Sequence, residues 1–169
     1  MQPEHLHLLI NHFPIHGLFI ATLVLLIGLW TGERRTQIAG LVVVLLSSLS
    51  IPFVMGSGEA ALERYQDEDV IRSTLTEAGL DYGQQHYDAA EKGAKLTYLL
   101  LILSALALLS LKFKPLWFGK LAWVVLIMSV FCLLANAWIA SSGGKIRRPD
   151  FQTARSAVMV VEPISLETV

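Results

Sequence analysis

The chain has 169 residues, 54% hydrophobic and only 16% charged, with a formal net charge of −1. Soluble domains carry nearer a quarter charged residues, so this composition points to a membrane protein of one domain. The small net charge, with no basic stripe or aromatic–basic motif, gives no reason to expect a nucleic-acid partner. A single cysteine, Cys132, excludes an intramolecular disulfide and any cysteine-held zinc or iron–sulfur site. It lies in an apolar run and reads as a small buried hydrophobe.

In chain order, the first charge-free stretch covers residues 5–32, and no basic n-region or A-x-A cleavage site precedes it. It opens with "HLHLLINHFPIHG", which holds four of the five histidines. Asn11 is expected to be the N-cap of the membrane helix. Pro14 is then the third helical residue, where its missing N–H has no intrahelical partner to lose. Residues 5–10 form an interfacial turn or short helix before it, and His12 and His16 stack at i, i+4. A short turn with Arg34 and Arg35 follows.

The second stretch, 36–58, contains "SSLSIPFVMGSGEAALE". Pro52 frees a carbonyl near Ser48 and kinks the helix, and Ser47, Ser48 and Ser50 can re-satisfy it. Residues 59–95 read as an acidic outer loop whose end, "HYDAAEKGAK", has helix-forming composition. The third stretch, 96–111, is short, but Lys95 and Lys112 can snorkel from its ends. The turn "LKFKPLWFGK" leads to the fourth, 121–144, and Trp30, Trp117 and Trp138 sit near span ends. The fold expected is all-α, a polytopic four-helix membrane bundle over residues 1–150, with 151–169 an extension outside it. The basic short turns place both termini outside, although Lys145, Arg147 and Arg148 argue the other way.

This topology gathers His5, His7, His12, His16 and His86 at the outer end, with Glu59, Glu63, Asn136 and the basic tail. Imidazoles from two helices of a bundle can hold a b-type haem. By height the pair is His12 and His86, with Arg147 suited to a haem propionate. The same end could form a His/carboxylate metal site from His12, His16, Glu59, Glu63 and His86. A hydrogen-bonded structural pair without a cofactor is the third reading, and His5 and His7 read as hydrogen-bonding to headgroups or carbonyls. The functions that follow are a haem-binding electron-transfer or redox module that works with other membrane redox subunits, a metal-binding membrane protein, or a structural subunit. No nucleophile–base arrangement supports enzyme chemistry, and the lack of inverted repeats disfavours transport.

The chain also resembles an uncharacterised family of small bacterial predicted membrane proteins with four spans. The pattern H-x-x-x-N-H-x-P is matched by His7, Asn11, His12 and Pro14. Gly58 and Glu59 match a Gly-Glu after the second span, and His86 a histidine opening the third. The closing G-G-x-I-R-H-like tail reads Gly143, Gly144, Lys145, Ile146, Arg147, Arg148, with an arginine in place of the last histidine. That departure puts a ligand role there in doubt and leaves His12 and His86 as the matched pair. The resemblance covers most of residues 5–150 and implies a four-helix domain of the bacterial inner membrane, similar in look to small b-type cytochrome bundles. It supplies no activity.

Overall fold

Apolar runs too long for a soluble core helix, punctuated by proline and glycine, set the element boundaries. The computed structural model describes residues 2–67 and 76–146. They form α1 (Pro3–Ile10), α2 (Phe13–Thr31), α3 (Arg34–Leu49), α4 (Ile51–Asp67), α5 (Glu77–Phe113) and α6 (Pro115–Gly143). α1 with α2, α3 with α4, α5, and α6 make four segments long and apolar enough to cross a membrane. The architecture is an all-α four-helix bundle with no strand among the described residues. Arg147 and the 151–169 extension lie outside those residues.

The helices run further than hydropathy suggests. The third span, expected at 96–111, belongs to a helix of 37 residues. Most of the expected 59–95 loop is helical, because Ala, Gln, Glu and Lys dominate there and all favour helix. Thr76 starts α5, its hydroxyl oxygen accepting from the Gly79 N–H at 3.0 Å. α6 begins at Pro115 rather than 121, since proline is pre-set for a first helical turn and gives up no hydrogen bond there. Between α2 and α3 the chain turns at Gly32, whose φ of 71° is the left-handed conformation that favours glycine.

Two interruptions shape the cavity end, the end away from the short turns. Asn11 closes α1 instead of opening α2: its N–H bonds the His7 carbonyl at 2.9 Å. His12 precedes α2, so Pro14 is the second helical residue. The proline still sits where an N–H is dispensable, but it needs no side-chain cap from Asn11. Between α3 and α4 the break expected from Pro52 is present. Pro52 is the second residue of α4, and the Ser50 hydroxyl donates to the Ser47 carbonyl at 2.7 Å.

α2 pairs with α3 and α5 with α6 as hairpins, and α3 against α5 and α2 against α6 close the ring. Leu18, Leu25, Leu41, Val44, Leu100 and Val125 fill its centre. Small hydroxyl residues line the same seam, and Thr22 Oγ1 donates to Ser129 Oγ at 3.0 Å. Outward positions such as Phe19, Ile27, Ile102, Leu106, Ile127 and Phe131 are exposed. An apolar surface this continuous belongs in lipid, and the chain reads as a multi-pass membrane protein.

Candidate cofactor site

Six glycines, serines and histidines at the cavity end form two matching sets. On one side α1 carries His7, whose ring packs on Gly58 of α4. A Cβ added to Gly58 would lie 2.9 Å from His7 Cε1. On the other side α5 carries His86, packed on Gly143 of α6, where an added Cβ would lie 3.1 Å from His86 Cε1. Only glycine lets an imidazole lie this close to a helix.

The residue before each glycine is a serine, and each serine holds the ring. His7 Nδ1 is 3.2 Å from Ser57 Oγ and 3.1 Å from the Val54 carbonyl. His86 Nδ1 is 2.9 Å from Ser142 Oγ. Ser57 donates its one proton to Val54 O at 2.9 Å, and Ser142 donates to Ile139 O at 2.6 Å. A hydroxyl has one hydrogen, so a serine that donates to its own-helix carbonyl accepts from the histidine. A carbonyl also only accepts. With its proton on Nδ1 each ring donates into this clamp, and the Nε2 lone pair is then unprotonated. Neither Nε2 has a hydrogen-bond partner among the described residues. The two halves of the chain thus build the same device: a ring from the cavity end of one membrane segment, fixed by a Ser-Gly step at the cavity end of the next.

Between them lies a cavity of about 470 Å³, with α1, the start of α2, α4, α5 and α6 as walls. Ligand pockets span roughly 300–1,000 Å³, and like them this one is mostly apolar with few polar groups. Leu8, Ile15, Ile51, Met55, Ala90 and Ala94 supply apolar surface. Two polar atoms in residues that line it, Asn11 Oδ1 and Asn136 Nδ2, are buried without a partner. Such orphans are rare and mark a place where something polar belongs. At the outer rim Arg64 Nη1 holds both oxygens of the buried Glu4 carboxylate, at 2.9 and 3.2 Å. This ion pair ties α1 to α4.

The expected site residues divide. His12 and His86 both line the cavity, but the ring that mirrors His86 is His7, not His12. Of the two partners expected for His7, headgroup or carbonyl, the structure supplies a carbonyl, that of Val54 in α4. His16 points off the lining, its Nδ1–H donating to the His12 carbonyl at 2.9 Å, with the two rings 5.9 Å apart edge to face. Glu59 and Glu63 are exposed and take no part. The cavity face of α4 is Val54, Gly58, Ala61, Leu62 and Tyr65, and positions 59 and 63 are turned about 100° from it. Glu59 lies beside the Tyr87 hydroxyl instead. Among the described residues no three His, Cys, Asp or Glu side chains converge on a point that could hold a metal ion.

Sequence reading missed Ser57, Ser142, Glu4 and Arg64. The repeated Ser-Gly steps in "MGSGEA" and "ASSGGK" were the available signal, but glycine is so common in membrane helices that it carries little weight alone. Comparison of the chain with protein-family models, with curated proteins and with solved structures finds no match.

Proposed function

We propose that this protein is a haem-binding electron-transfer or redox module of the bacterial inner membrane, with His7 and His86 as the two axial ligands. The observation that carries the reading is the pair of rings clamped at Nδ1, His7 by Ser57 and the Val54 carbonyl and His86 by Ser142, with each Nε2 left without a partner among the described residues. Histidines that ligate metals almost always donate their other ring N–H to such an acceptor, which fixes tautomer and ring angle. Gly58 and Gly143 keep the rings upright, and the apolar walls suit a flat macrocycle. A bound haem supplies one-electron exchange; the chain's own part is to hold the two imidazoles apart, in register and shielded from bulk water. The family resemblance and the basic short turns support placing the cavity at the outer face, with both termini outside.

The test is the spectrum of protein purified from cells supplied with haem. A Soret band is expected, lost in His7→Ala and in His86→Ala and retained in His12→Ala. A band lost in His12→Ala but kept in His7→Ala would return the ligand role to His12. Wild-type protein without any Soret band would end the haem reading. A reporter fused at Gly32 should lie inside while one fused after Val169 lies outside, and two reporters on the same side would sink the topology.

A further inference from the structure

The cavity's Ile139 wall has a second side. On the flank of α5 and α6 lies an open groove of about 460 Å³ that shares Ile139 with the cavity. Its floor is made of small residues, among them Gly93 and Ala135. Its side wall is the indole of Trp138, a residue 68% exposed. At its rim Gln85, Asp88 and Lys92, three and four residues apart on α5, present polar ends, and Asp88 Oδ1 already accepts from Gln84 Nε2 at 2.9 Å. Lys92 has no hydrogen bond or ion pair among the described residues. Gln85 uses its amide nitrogen toward Asp81 Oδ2 at 2.8 Å, and one of its two protons remains for a guest.

We propose that this groove binds the head of a lipid-soluble quinone. A flat slot beside an exposed indole fits a planar ring, which gains from offset stacking on the aromatic face. The ammonium of Lys92 and the amide of Gln85 are donors placed for a quinone carbonyl, which only accepts. Trp138 marks the depth of the membrane interface, where the head of such a carrier lies while its tail stays in lipid. The separation decides between a quinone and an ordinary lipid headgroup. Ile139 lines both the groove and the cavity that His86 lines, so a carrier seated here lies beside the proposed cofactor. In that respect the choice of a quinone rests on the haem reading.

The experiment uses the full chain in phosphatidylcholine nanodiscs with a photoreactive azidoquinone, followed by peptide mapping. Labelling is expected on residues 85–96 and 135–139, displaced by excess unlabelled quinone and not by phosphatidylethanolamine. Trp138→Ala, which removes the stacking face, should cut labelling about fivefold without changing the Soret band. Ala135→Leu, which fills the floor at a half-buried position, should do the same, with an unchanged thermal melt as the check that the variant folds. Label spread over all four spans, or displacement by phosphatidylethanolamine alone, would overturn the proposal. The two readings separate cleanly. Specific labelling of protein that has no Soret band defeats the haem reading and upholds the groove, whereas a Soret band with diffuse labelling defeats the groove alone.

Discussion

The two histidine clamps use the same parts but hang from different supports. His86 rides on α5, a single helix of 37 residues whose position is set along its whole length by packing on α3, α4 and α6. His7 rides on α1, eight residues long and joined to α2 through the break at Asn11 and His12. α1 packs chiefly on α4, and side-chain fastenings hold it there: the His7 clamp and the Glu4–Arg64 pair. A long membrane helix fixes a ligand through backbone continuity and buried apolar area. A short interfacial helix must rely on specific polar contacts, because an isolated helix of this length is not stable by itself.

If this contrast is right, losing the fastenings should harm the His7 half more than the His86 half. The largest effect is expected at Arg64. Arg64→Ala leaves the Glu4 carboxylate buried and unpaired, and should cost about 2–3 kcal/mol, near the low end for a buried pair because Arg64 is a quarter exposed. Thermal melts in detergent would measure it, with proteolysis mapping the loosened region. Increased cleavage confined to α5 and α6 would break the comparison.

Next come the two glycines. Gly58→Ala and Gly143→Ala each push a Cβ toward an imidazole, and overpacking of this kind costs about 1–3 kcal/mol. Gly58→Ala should be the worse for stability, since its Cβ meets His7 at 2.9 Å against 3.1 Å for Gly143 and His86. Displacing His7 also unseats α1, whereas α5 stays in place when His86 shifts. Equal losses at both sites would mean that α1 is held by more than its fastenings.

The serines should separate the halves in the opposite sense. Each hydrogen bond is worth about 1 kcal/mol. In Ser57→Ala the Val54 carbonyl, already 3.1 Å from His7 Nδ1, remains as an acceptor. In Ser142→Ala the one hydrogen bond to the His86 ring, at 2.9 Å, disappears, and among the described residues no carbonyl is hydrogen-bonded to that ring. The cost should therefore be greater for Ser142→Ala, and for a haem-loaded protein the Soret maximum should shift more.

The smallest effect is expected outside both clamps. Glu91 and Lys95 form an i, i+4 pair with both side chains more than half exposed. Lys95→Ala should change stability by less than about 0.5 kcal/mol. A larger loss in the same melts would show that α5 depends on surface charge and is not the rigid support described above.

Much of this molecule is written locally in its sequence. The absence of charge over four stretches specifies four spans, because no water is present in lipid to solvate an open backbone and a helix is the cheapest way to satisfy it. Pro52 announces the α3–α4 break, and the histidine-rich opening announces that chemistry gathers at one end. Boundaries were less legible. Hydropathy stops at the edge of the hydrocarbon, while α5 continues for many residues past it through Tyr82, Gln85 and Asp88, whose polarity says nothing about whether the helix ends. The pairing of His86 was not legible at all. His7 and His12 lie in one short motif, are equally capable ligands and differ in height by little more than a turn. What separates them is the Ser57-Gly58 step of another helix, 50 residues away, and the rotation of α4 that brings that step under His7 while turning Glu59 and Glu63 outward. Helix rotation is set by the sum of packing along the bundle, so only the tertiary structure could decide which ring was clamped and which carboxylates were left outside.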